Sequence, residues 1–355
     1  MKILRPISVL AIALIWTASA VAQISLTPPA AEAPKQAAKP KTKPHTIAKK
    51  PAQTAAPKPA ATPVPPTATV VPAPAPDDPN VDLVYGAYQR GYYKTSFDLA
   101  TKRAATGDVK AMTMLGELYA NALGVKRDYV KALDWYKRAS DGGDREAMFA
   151  LAMMRLEGRG APANREDAVK LLASSAKLGN PKAAYNLALL YLDGQTLPQD
   201  AKRAAELFRQ AADAGNPEAQ YALATFYKEG TGVPKDPEKA VELLRAASLA
   251  DNVDAEVEYA IALFNGTGTP KNETAAVAML RKAARANSPI AQNRLAFVLV
   301  NGLGVPMDKI EGLKWHLIAK TAGKGDPVLD AELAKLSPED RAKAEAAARL
   351  WLGVK

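Results

Sequence analysis

Several short fragments place reactive residue types at spacings that chemistry uses. Ser174-Ser175-Ala176-Lys177 has the Ser-x-x-Lys spacing of penicillin-recognising hydrolases, in which a lysine lies beside a serine nucleophile. Such enzymes also need Ser-x-Asn and Lys-Thr-Gly elements across a pocket. The nearest approach, Lys320-Thr321-Ala322, lacks the glycine. Gly158-Arg159-Gly160 and Gly230-Thr231-Gly232 imitate phosphate-cradling loops, but no strand pattern precedes either. Asn272-Glu273-Thr274 is a glycosylation sequon whose asparagine falls where a helix needs a cap. Cysteine is absent and the histidines are His45 and His316. Disulfides, thiolate metal sites, a cysteine nucleophile and a histidine-rich metal site are thereby excluded. The expectation is no catalytic residue, no metal and no cofactor, so the elements that would position side chains must carry the functional reading.

Charge divides unevenly along the 355 residues. Residues 1–80 hold nine Lys and Arg against three acids, and residues 81–355 hold 38 against 34. The body is nearly balanced, and no basic face advertises nucleic acid or an acidic substrate. Lys2 and Arg5 precede an apolar run from Ile7 to Trp16 and an Ala20-Val21-Ala22 ending. These are the parts of a secretory signal, read as residues 1–22, with retention as an uncleaved inner-membrane anchor the alternative. Periplasmic or secreted placement follows as an expectation. Residues 23–80 carry 15 prolines and seven lysines, a composition that predicts a disordered Pro/Ala/Lys-rich linker. Its lysines are candidates for contact with cell wall or an anionic membrane surface.

Beyond residue 80 the chain repeats with a 36-residue period. Gly107, Gly143, Gly179 and Gly215 are continued by Asp251 and Asn287, all residue types that tolerate the left-handed backbone ending a helix. Asp108, Asp144, Asn180, Asn216, Asn252 and Ser288 follow, each a preferred N-cap. Inside the first helix an alanine recurs at Ala111, Ala147, Ala183, Ala219, Ala255 and Ala291, with Leu115, Leu151, Leu187, Leu223 and Leu295 four residues on. A glycine-rich loop leads to a second set of caps, Asp128, Asn164, Asp200, Asp236, Asn272 and Asp308. Neither helix can cover its apolar stripe alone, so successive pairs must stack. The expected fold is all-α: a right-handed α-solenoid of helix-turn-helix repeats over residues 107–322. A capping helical pair (81–106) precedes it and capping helices (323–355) follow.

The run Ala-x-x-x-Leu-Gly-x-x-Tyr from Ala111 to Tyr119, with Gly124-Val125, Asp128, Lys131-Ala132 and Trp135, resembles the Sel-1-like repeat, a relative of the tetratricopeptide repeats. Six copies are legible. Departures are Arg155, Leu263 and Leu299 at the tyrosine position, Thr196 for a loop glycine and Tyr259 for the leucine.

The resemblance implies that the first helices line a concave surface and that the chain binds protein partners. Side chains there, Phe149, Met153, Tyr185, Leu189 and Tyr221, are the candidate partner-binding residues, because aromatic and Met side chains anchor peptides or partner helices. Glu157, Asp193 and Glu229 would form an acidic rim. The expected function is a protein–protein interaction scaffold in the bacterial cell envelope with protein partners. A periplasmic regulator restraining a membrane sensor kinase is the alternative, and a β-lactamase-like hydrolase the remote one. No small-molecule substrate is expected.

Overall fold

Sixteen α-helices, and no strand, make up residues 82–353, the part of the chain that the computed structural model describes. The signal (1–22) and linker (23–80) readings lie outside those residues. A short pair, α1 (Leu83–Gln89) and α2 (Tyr93–Ala105), turns at Gly91. Six pairs of 13-residue helices follow: α3 (Val109–Asn121) with α4 (Tyr129–Asp141), α5 (Arg145–Glu157) with α6 (Arg165–Lys177), and α7 (Pro181–Asp193) with α8 (Ala201–Asp213). Then come α9 (Pro217–Glu229) with α10 (Pro237–Leu249), α11 (Val253–Asn265) with α12 (Glu273–Arg285), and α13 (Pro289–Asn301) with α14 (Lys309–Thr321). Helices α15 (Pro327–Ala334) and α16 (Pro338–Leu352) complete the order.

From α3 onward each helix start is fixed by a side chain accepting from backbone N–H groups that have no partner within the helix. Asp108 accepts from Lys110 and Ala111, and Asp128 from Val130 and Lys131. Asp144, Asn180, Asn216, Asp200 and Asp236 each accept from the N–H three residues on. The Asp128 and Asp236 carboxyls are held below the usual carboxylate range, chiefly by the N–H groups of Lys131 and Lys239. At Asp108 burial opposes ionisation, and the Ala111 N–H together with the Arg103 guanidinium outweighs it. The turn between pairs is left-handed throughout, with Asp251 (φ 59°) and Asn287 (φ 62°) taking the glycine position.

The recurring alanines are the seam along which helices approach: Ala147, Ala183, Ala219, Ala255 and Ala291 have no exposed surface. Leu115, Leu151, Leu187, Leu223 and Leu295 are buried beside them. From α1 to α15 every helix packs on its neighbours in sequence, and α3 also touches α5. Where the sequence departs from the pattern, the packing adapts. Arg155, in the tyrosine position, reaches Asp167 on α6 with Nε 3.3 Å from the carboxylate. Thr196 and Gln195 accept from the Arg165 guanidinium at 3.5 and 3.2 Å.

At the C-terminal end α16 packs on α14, where Trp351 meets the Trp315 ring edge-on at 4.9 Å. His316 is fully buried because α15 closes over it, bringing the Asp330 carboxylate to 2.9 Å from Nε2. The Lys320 ammonium, then His316, holds the Asp330 carboxyl below its ordinary value. A depressed folded-state pKa contributes stability that is present above the unfolded value and lost as pH falls through the folded one. Wild type should therefore melt above Asp330→Asn near pH 7, and the gap should close below about pH 4. An equal gap at pH 7 and pH 3, measured by circular dichroism, would remove the carboxylate charge as its cause.

Candidate partner-binding face

The face built by the first helices is continuous across the repeats. Thr113 on α3 donates to Asp144, the cap of α5, at 3.1 Å, and Lys228 on α9 reaches Glu258 on α11 at 2.7 Å. All five predicted residues stand on α5, α7 and α9. Phe149, Met153, Leu189 and Tyr221 are half-buried there.

Tyr185 departs from the expectation. It is only 5% exposed, with its ring centroid 5.6 Å from that of Phe208 on α8. Phe208 in turn meets Phe226 on α9 edge-on at 5.4 Å. Tyr185 thus joins an aromatic line through the core of two repeats, and its hydroxyl is pushed up to about 12, by burial first and then by the Glu218 charge. It seals repeats and presents little surface to a partner. The expected acidic rim is partly committed: Glu157 pairs with Arg159, while Asp193 and Glu229 are exposed. Glu117, on the same face, accepts from the Tyr136 hydroxyl at 3.0 Å and from Asn121 at 2.7 Å.

A cleft of about 210 Å³ opens on this face at Tyr221 and extends beyond the other residues singled out from sequence. Tyr221 of α9, Asp254, Val257, Glu258 and Ile261 of α11, and Ile290 and Arg294 of α13 line it. Three successive first helices therefore share one concavity. The signal that marks it in the sequence is Ile290. It stands immediately before the recurring alanine, where the other repeats carry Lys110, Glu146, Lys182, Glu218 and Asp254. Ile290 remains 46% exposed. The Tyr221 hydroxyl is raised by burial and then by the charges of Glu258, Asp254 and Glu229. Desolvation and the neighbouring Glu258 charge also raise the Asp254 carboxyl.

The fragments that imitate catalytic motifs have structural tasks. The Ser175 hydroxyl is buried and donates to the Arg145 carbonyl at 2.6 Å. Gly158 caps the end of α5 and Gly230 the end of α9, both left-handed. Asn272 accepts from the Ala275 N–H at 2.9 Å as the cap of α12. Among the described residues no group of three or more His, Asp or Glu is placed to hold a metal ion, and no helix is long and apolar enough to cross a membrane.

Comparison with known proteins agrees with this architecture. No curated protein sequence matches the chain. Among solved structures it is similar to a Sel1 repeat protein from Oxalobacter formigenes, at 27% identity over 67% of this chain and 98% of that one, with a TM-score of 0.61. It is also similar to c5321, described as a protective antigen present in uropathogenic Escherichia coli strains displaying an SLR fold. There the identity is 26%, the cover 74% of this chain and 64% of that one, and the TM-score 0.51. The Sel1 repeat model matches residues 109–144, 145–180, 181–216, 217–252, 253–288 and 289–324. Its boundaries fall two residues after those read from the glycine series. With six contiguous repeats over more than half its length, built as paired helices that stack in register, the chain belongs to the Sel1 repeat family.

Proposed function

We propose that this chain is an interaction scaffold of the bacterial cell envelope, which captures a protein segment on the face formed by its first helices. Sel1 repeat proteins are generally protein-interaction scaffolds and typically non-catalytic. The observation that carries the assignment to this face is its half-buried apolar residues. Phe149, Met153, Leu189 and Tyr221 stand in register on α5, α7 and α9 and keep surface that repeat packing leaves open. Such side chains, ringed by polar residues, are where binding energy concentrates in interfaces. The envelope placement is supported by the sequence of residues 1–22, with its basic start, apolar run and Ala-Val-Ala ending.

Affinity capture from envelope extract with the full chain tests this, run beside a Met153→Ala/Tyr221→Ala variant. Wild type should enrich a defined partner, and the variant should lose it at least about tenfold, since each truncated anchor costs on the order of 1–2 kcal/mol. The melting curve should remain cooperative. Undiminished capture by the folded variant would move binding off this face. Recovery of the chain with the cytosolic fraction of lysed cells would overturn the envelope placement.

A further inference from the structure

The partner's chemistry is legible in the cleft between α9, α11 and α13. We infer that it takes a basic, amphipathic segment of a partner polypeptide, seating a Lys or Arg side chain beside an apolar neighbour; this rests on the scaffold reading above. The walls supply both requirements. Tyr221, Val257, Ile261 and Ile290 give an apolar lining on three successive helices, with Ile290 open to solvent at the mouth. Asp254 and Glu258 stand one helical turn apart on α11 and place two carboxylates at that lining.

Asp254 is partly desolvated and faces the Glu258 charge, and a cation entering from outside relieves both costs. Tyr221 lines the same corner, where the charges of Glu258, Asp254 and Glu229 all act on its hydroxyl. Lys228 on α9 already pairs with Glu258 at 2.7 Å, and Arg294 lines the α13 wall, so Asp254 is the carboxylate that an incoming cation meets. Along the first-helix face from α7 to α13, Asp193, Glu218, Glu229, Asp254 and Glu258 outnumber Lys182, Lys228 and Arg294. A long aliphatic stem with a charged tip matches an apolar channel ending at carboxylates, because such side chains bury their methylenes while the head keeps polar contact. An acidic segment would meet two like charges in the same place.

The probes are two fluorescent 12-residue peptides of the same leucine and alanine framework, one carrying four lysines and the other four glutamates. Each is titrated into the full-length protein by anisotropy. The lysine peptide should bind at least about tenfold tighter, and raising the salt from 50 to 300 mM should weaken it. Asp254→Asn and Glu258→Gln should each weaken it about three- to tenfold, and Ile261→Ala by a similar factor. Asp134→Asn, on the exposed side of α4, should leave it unchanged. Equal affinity for the two peptides, preference for the glutamate peptide, or an equal loss in Asp134→Asn would each overturn the assignment. The scaffold reading fails separately. If a natural partner is captured and lost on the Met153→Ala/Tyr221→Ala variant yet is indifferent to Asp254→Asn and Glu258→Gln, the face stands and the cleft's chemistry does not.

Discussion

Tyr185→Asp should unfold the middle of the stack. The ring is buried between α7 and α8 against Phe208, which itself packs on Phe226 of α9. Removing a buried aromatic costs roughly 3–5 kcal/mol through lost transfer energy and the cavity left behind. A carboxylate in that cavity must also be desolvated or protonated, which adds to the loss. For a folded unit of this size the melting temperature should fall on the order of 10 °C. Because each repeat is supported only by its neighbours, amide hydrogen exchange should show protection lost first in α7, α8 and α9. Tyr185→Phe keeps the ring and should melt within about 2–3 °C of wild type, as a volume-conserving swap does. A Tyr185→Asp protein that melts with wild type would return Tyr185 to the partner-facing surface. The same reasoning governs capture experiments: loss of binding in a Tyr185→Asp variant reports on folding, whereas Met153 and Tyr221 report on the face.

Gly232→Val should be the most damaging single change in a loop, and Thr196→Gly, at the same position one repeat earlier, should be nearly silent. Gly232 has φ +67°, and a Cβ there would overlap the carbonyl of Ala201, the first residue of α8 in the preceding repeat. Left-handed backbone alone costs a non-glycine residue about 1–2 kcal/mol, more for a β-branched one. The overlap is with backbone, which cannot rotate away, so the loop must lift from its neighbour. A total of roughly 3 kcal/mol or more is expected, read as a fall in melting temperature of about 6–10 °C. The arrangement recurs: Gly160 lies on Tyr129, Gly268 on Pro237 and Gly304 on Glu273, each the first residue of the second helix one repeat back. Thr196 has no such need. Among the described residues, positive φ outside glycine occurs only at Ala122, Asp251 and Asn287. The Thr196 loop is tied instead through Gln195 and Thr196 to the Arg165 guanidinium. A Gly232→Val protein as stable as Thr196→Gly would mean the loop yields freely and carries no inter-repeat contact.

Much of this molecule follows from local rules acting on its sequence. Asp108, Asp128, Asn180 and their counterparts accept from the first free N–H groups of the helices they precede, because capping involves residues only two or three apart. The alanine and leucine series set which face of each helix is buried, because a 3.6-residue period assigns each position a direction. Six equal units then stack by repetition, and the Sel1 family follows from the same register.

Contacts between repeats obey no such short range, and there the tertiary structure decided. Phe149 and Tyr185 occupy one repeat position, yet Phe149 is half-buried while Tyr185 is enclosed, with Phe208 across from it on α8. His316 is fully buried because Asp330, fourteen residues away on α15, folds over it. The loop glycines are visible as a series in the sequence, but the backbone of the preceding repeat that each must admit is not. The cleft follows the same logic. Tyr221, Asp254, Ile261, Ile290 and Arg294 span more than two repeats, and only stacking sets how closely three helices approach and what room remains between them. Repetition fixes which side chains can face that space, and the packing of dissimilar neighbours fixes which of them still do.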